Sequence, residues 1–190
     1  MDFFCKAFGR LDVVVCCAGI VGVQHALETS AATWRRIQDV NTTSGFLIAQ
    51  ATAQRMIAFA KLRGEEPIRC NGSIIFISSI SAHHVNFPQP QAAYNVSKAA
   101  VSHMARSLAA EWAVHGIRVN SISPGYMDTP LNEGEHLDEA KKVWYARTPL
   151  GRMGRPDEVA GVVVMLSSPA GSYITGVSDP GSFAGDRIAC

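Results

Sequence analysis

Three short runs of β-branched and apolar residues punctuate the chain: LDVVVCCAG (11–19), SIIFISS (73–79) and IRVNSISPG (117–125). Each is too short for a globular helix and ends in glycine or small polar residues, which predicts buried strands. Between the first two, Trp34, Ile37, Phe46, Leu47 and Ile57 mark helical stretches within residues 30–62. Between the second and third, Val101, Met104, Ala105, Leu108 and Trp112 recur at three- and four-residue steps. That spacing is one apolar face of a helix, predicted to end near Gly116. Another helix is expected over 155–168, with Asp157 as its N-cap. Apolar strands separated by long helices need crossover connections, so the pattern predicts a parallel sheet in an α/β layer structure. No repeat, low-complexity tract or linker divides the 190 residues, which fit one domain.

Composition narrows the setting. The apolar share of 47% is enough for a real core. With 17 basic against 16 acidic residues the net charge is +1, which offers no footprint for nucleic acid or a membrane surface. No apolar run approaches the length of a membrane span, and MDFFCKAFGRLD lacks the pattern of a signal peptide. The five cysteines (5, 16, 17, 70, 190) have neither zinc spacing nor a CxxC pair, and an odd number cannot all pair within the chain. A cytoplasmic protein with free thiols is the expectation. His83 and His84 lack a third ligand at metal-binding spacing, so no metal site is expected.

Ligands of open parallel sheets sit outside the carboxyl ends of the strands. Cys17-Ala18-Gly19, Ser78-Ser79 and Pro124-Gly125 fall at those ends. Tyr94 and Lys98, four residues apart near the start of the long helix, lie on one side of it and face the same crevice. A free phenol titrates near ~10. An ammonium about 5 Å away, at an effective dielectric of about 20, favours phenolate by roughly 3 kcal/mol, or about two pKa units. That would bring Tyr94 within reach of acid–base work. A single Tyr-x-x-x-Lys also arises by chance, as an aromatic stem beside a surface cation.

The surrounding motifs decide between these. DVVVCCAG, VN at 40–41, ISS at 77–79, YNVSK at 94–98, RVNSISPGYMDT at 118–129, GRMGRPDEVAGVVVMLSS at 151–168 and SYITG at 172–176 form an ordered series. The series resembles the short-chain dehydrogenase/reductase family, nicotinamide-dependent enzymes with a Rossmann-like, doubly wound parallel sheet. HVNFPQPQAAYNVSKAAVSHMARSLAAEWA is similar to its fungal mannitol dehydrogenase and sorbose reductase branch.

The resemblance implies an NAD(P)-dependent oxidoreductase that reduces a ketose or similar carbonyl, or oxidises the alcohol. It implies NADP(H) ahead of NAD(H), a small-molecule substrate, no nucleic-acid or membrane partner, and a homo-oligomer. It gives Tyr94 the role of general acid or base. Lys98 would lower the tyrosine's pKa and bind the nicotinamide ribose. Asn41 would interrupt its helix and hold a water through its carbonyl. Cys17, Ala18, Gly19, Pro124, Gly125, Met127 and Thr129 would line the cofactor together with Tyr94 and Lys98. Family spacing to the tyrosine points to Ser81 as the catalytic serine, whereas matching strand ends points to Ser79. Ser79 is favoured, because SAHHVNFPQPQ looks lengthened and loops absorb insertions. Ser78 is expected to be structural.

Two departures stand beside the match. Cys16-Cys17 replaces the family's Asn-Asn, and a thiol is a weaker hydrogen-bonding partner than an amide. The fingerprint Thr-Gly-x-x-x-Gly-x-Gly is expected upstream of FGRLDVVV, and TGVSDPGSFAGDRIAC lacks the family's closing DGG. The resemblance therefore implies that 1–190 is a partial domain, the catalytic portion, with the first three strands and the glycine loop outside it. On that expectation these residues alone would not turn over. The alternative is a non-catalytic relative acting at most through dimerisation.

Overall fold

The computed structural model describes residues 7–64, 72–134 and 137–179. Strands β1 (Val13–Cys16), β2 (Gly72–Ile77), β3 (Ile117–Ile122) and β4 (Ser178–Asp179) pair in chain order, all parallel, in one sheet. The three predicted runs all form strands. Pairing stops at Cys16, Ile77 and Ile122, so the small residues that end each run leave the sheet and become the lining of the site.

Helix α1 (Ala31–Gln38) starts at Ser30, whose Oγ accepts from Thr33 N at 3.0 Å and caps a helical donor. It passes through a π-turn (Asp39–Thr43) into α2 (Ser44–Leu62). Helix α3 (Ala92–Trp112) carries the apolar repeat seen in the sequence. One 3₁₀ turn follows, and Gly116 closes it at φ 69°, a left-handed conformation open to glycine without strain.

Helix α4 (Asp138–Arg147) was not foreshadowed by the apolar pattern, because only Ala140 and Trp144 are buried along it. Helix α5 (Pro156–Ser167) corrects the expected cap. Pro156 occupies the first helical position, as its fixed φ favours, which makes Arg155 the N-cap and puts Asp157 inside the first turn. Glu158 Oε2 accepts from Arg155 N at 2.8 Å in place of the expected aspartate cap.

Alternate strand residues feed two cores. Ile74, Phe76 and Val119 pack against Ala49, Ala53 and Met56 of α2 and Val101, Ala105 and Leu108 of α3. On the opposite face Ile75 and Ile122 meet Leu166 of α5, with Val159, Val162 and Val163 partly buried beside them. Helices on both faces of a parallel sheet give the Rossmann-like, doubly wound α/β fold that was expected. Among the described residues, no helix is long and apolar enough to cross a membrane, and no three His, Cys, Asp or Glu gather as a metal site. Cys5, Cys70, Cys190 and the segment 180–190 lie outside the described residues.

Candidate active site

At the end of β2 the two serines separate. Ser78 is buried, with its Oγ 2.9 Å from Lys98 O and 2.7 Å from Ser102 Oγ, so it fastens the strand to α3 as expected. Ser79 opens a 3₁₀ turn (Ile80–Ala82). Its Oγ accepts from Ser81 N at 3.1 Å, donates to Ser81 Oγ at 3.0 Å, and lines both crevices beside Tyr94. Ile80 N donates to Pro124 O at 3.0 Å, which ties this turn to the one that follows β3. Ser81 is buried, and its hydroxyl faces Ser79.

Tyr94 and Lys98 face the crevice from the first two turns of α3. Lys98 Nζ stands 5.7 Å from the Tyr94 ring centroid and donates to Ile77 O at 2.8 Å. Burial pushes the Lys98 ammonium down to about 8, opposed by the neighbouring Cys17. Burial also raises the Tyr94 phenol, opposed by the Ser79 hydroxyl beside it. The expected lowering of Tyr94 by Lys98 is thus overturned here. Desolvation acts on both groups, and the cation lies over the ring rather than in the open.

Asn41 sits in the π-turn, a local widening that often accompanies functional positions. Its Oδ1 accepts from Ile20 N at 2.8 Å, and its Nδ2 donates to Ile20 O and to Ser97 Oγ, both at 2.9 Å. The interrupted helix is as expected. The side chain is spent on holding the segment after β1 against α3.

Two crevices flank Tyr94 among the described residues. One, of about 270 Å³, brings together Cys17, Gly19, Ser79, Tyr94, Lys98, Pro124, Gly125, Met127 and Thr129. Ala18 is the exception and faces a neighbouring cavity behind β1, with Cys16 and Asn41. The other, of about 210 Å³, is lined in part by Ser79, Ser81, Asn86, Gln91, Tyr94 and Tyr126. Burial pushes the Cys16 thiol up to about 11, with Cys17 adding to it. Burial raises Cys17 as well, against the pull of Lys98. Both therefore stay protonated at neutral pH and are not activated nucleophiles.

Ser97, Asn86 and Asn132 were missed from the sequence. Ser97 had a signal: it lies three residues after Tyr94 and one before Lys98, on the same turn. Asn132 had none, since its contact, Nδ2 to Met127 O at 2.8 Å, depends on how the loop folds back.

The family model described as Enoyl-(Acyl carrier protein) reductase matches residues 1–178. The chain belongs to the short-chain dehydrogenase/reductase family. It is 43% identical over 152 residues to a galactitol 2-dehydrogenase of Rhizobium johnstonii, covering 80% of this chain and 55% of that protein. It is 42% identical to sorbose reductase sou1 of Schizosaccharomyces pombe, covering 88% and 62%. It is 39% identical to an NADP-dependent mannitol dehydrogenase of Alternaria alternata, covering 90% and 60%. A crystal structure of a short-chain type dehydrogenase/reductase from Mycobacterium marinum superposes with a TM-score of 0.83 at 44% identity, covering 93% of this chain and 65% of that one. The chain thus spans less than two thirds of the length of these relatives.

Proposed function

We propose that this chain carries the proton-transfer site of an NADP(H)-dependent oxidoreductase that reduces a ketose or similar carbonyl, or oxidises the corresponding alcohol. The larger crevice suits a nicotinamide ribose. A Cβ on Gly19 would stand 3.5 Å from both Asn41 Oδ1 and Lys98 Nζ, so the glycine keeps that floor open. Lys98 has donors beyond the one given to Ile77 O. Lys98 and Tyr94 would hold the ribose, with Cys17, Gly19, Pro124, Gly125, Met127 and Thr129 along the walls and Ala18 behind them. When bound, the nicotinamide supplies or takes up the hydride. NADP(H) is favoured over NAD(H) because a relative is named NADP-dependent.

The proton belongs to this chain. With its pKa raised, Tyr94 keeps its phenolic proton at neutral pH and donates it to the substrate oxygen during reduction. Ser79, beside Tyr94 on the same wall, would turn its hydroxyl from Ser81 to the same oxygen as negative charge develops there. Asn41 and Ser97 position the helix that presents Tyr94. The single observation that carries this reading is that Ser79 and Tyr94 stand together at the wall shared by both crevices, with Lys98 lining the larger one. The test is NADPH consumption with L-sorbose, measured with a glycine-loop segment placed upstream. Turnover that disappears in Tyr94→Phe supports the reading, and absence of turnover in the parent contradicts it.

A second observation favours self-association. Phe46, Leu47 and Ile48 on α2 and Val96 on α3 are exposed apolar side chains, which suits a homo-oligomer whether or not the chain is catalytic. Dimers in sedimentation without turnover would favour the non-catalytic alternative.

A further inference from the structure

The turn that leads into α5 is fastened to the segment after β3 on one side and to Glu158 on the other. Gly154 N donates to Tyr126 O at 2.9 Å, and Asp128 N donates to Gly154 O at 2.8 Å. Met127 and Gly154 therefore lie side by side in parallel. Met127 O is held as well, by Asn132 Nδ2 at 2.8 Å. Met127 lines the larger crevice, whereas residues 152–155 line neither crevice. The turn reaches the site through the backbone of Tyr126–Asp128.

Glu158 closes the turn from its far side. Its two oxygens meet both ends of the Arg152 guanidinium, Nη1 to Oε2 at 2.8 Å and Nη2 to Oε1 at 2.7 Å. Oε2 also accepts from Arg155 N at 2.8 Å, and Arg152 Nη1 donates to Met153 O at 3.0 Å. Residues 152–155 are thus looped around one carboxylate. Arg152, and after it Arg155 N, hold that carboxyl down to about 2, so the clamp stays charged at neutral pH. An exposed ion pair contributes little stability by itself. A forked pair fixes geometry, because two N–H groups must meet two oxygens at once.

Gly154 sits between this clamp and the crevice wall. A Cβ there would stand 3.1 Å from Met127 Sδ, 3.2 Å from its Cε and 3.9 Å from Glu158 Oε2. The first two are tighter than ordinary contact, and the flexible thioether is the part that yields. The bare glycine lets Met127 rest against the turn, and a side chain would push it away.

We infer that Glu158 is a positioning residue for the larger crevice: it fixes the 152–155 turn, whose Gly154 seats the Met127 side chain on the crevice wall. The consequence for NADPH rests on reading that crevice as the cofactor site.

The test follows the methionine methyl signals of the full chain by NMR, with Met127 identified by its loss in Met127→Ala. Glu158→Ala and Gly154→Ala should each shift the Met127 signal and leave that of Met56, which is buried in the core, in place. Glu158→Gln keeps an oxygen for Arg155 N and should stay close to the parent. In fluorescence titrations, Gly154→Ala should weaken NADPH about fivefold, but less than about twofold when Met127→Ala is already present. A Met127 signal unmoved in Glu158→Ala, or equal weakening by Gly154→Ala in both backgrounds, overturns the assignment. So does a Met56 signal that moves as far as that of Met127, since the change is then general. Met127 shifts as expected in a chain that binds no NADPH keep the assignment and remove the cofactor reading.

Discussion

Asn41 Nδ2 donates to Ser97 Oγ at 2.9 Å, tying the π-turn between α1 and α2 to the first turns of α3. Ser97 Oγ continues the link by donating to Tyr94 O at 2.7 Å. Ser97 is fully buried, so water cannot replace it. Ser97→Ala is therefore expected to cost about 1–3 kcal/mol in urea unfolding, the penalty of a buried donor left unpaired. It should lower kcat more than it raises KM, because it loosens the helix that presents Tyr94. Asn41→Ala and Ser97→Ala together should cost less than the sum of the two alone. Additive losses would show that the two residues act separately.

The serine pair separates by kinetics. Ser79→Ala should lower kcat by roughly 10²-fold, as loss of one donor to a developing oxyanion does. Ser81→Ala, whose hydroxyl meets Ser79 rather than Tyr94, should act mainly on KM. Collapse of turnover in Ser81→Ala with Ser79→Ala unchanged would reverse the assignment.

Lys98 gives the stability a particular pH dependence. Its ammonium ordinarily titrates near 10.5, and burial lowers that to about 8 in the fold. Between those values the unfolded chain binds more protons than the folded one, so stability rises with pH through that window. Below it both states are protonated, and the cost of burying the charge is present in full, on the order of 3 kcal/mol. Lys98→Met should flatten the rise in a series of urea melts. An equally steep rise in the variant would place the titrating group elsewhere.

Position 17 offers a gain rather than a loss. Cys17 lines the larger crevice with Gly19 and Lys98, and burial raises its thiol pKa. Cys17→Asn puts a full donor and acceptor where a weak one stands. NADPH fluorescence titration should show tighter binding, up to about tenfold for one added hydrogen bond. Unchanged affinity would remove position 17 from the cofactor site.

Much of this was legible in the chain. The runs at 73–79 and 117–125 became β2 and β3 because β-branched residues buried on both faces have few other homes. Helix α3 ran from the Tyr94 turn to just short of Gly116 because its apolar repeat and its glycine stop agree. Helix α4 was hidden, since two buried residues in ten make no periodic stripe. Asp157 misled because Pro156 beside it is the stronger positional signal. Tyr94 and Lys98 could be paired from their spacing alone. Their electrostatics could not, since the burial that shifts both comes from β1, β2 and the turn after β3, segments distant in sequence. Asn86 carried no signal at all, since its bond to Tyr126 joins two loops forty residues apart.

The central claim is that Tyr94 supplies the proton at this site, and replacing its hydroxyl alone tests it most directly. Tyr94→Phe and the parent, each with a glycine-loop segment placed upstream, are compared for NADPH consumption with L-sorbose and for NADPH affinity by fluorescence. The phenol's proton is the chemistry removed, so the rate should fall by about 10²–10⁴-fold, the usual worth of general acid catalysis. NADPH affinity should stay nearly unchanged, because Lys98 and the walls of the crevice remain in place. A Phe variant that keeps more than about a tenth of the parental rate would contradict the account.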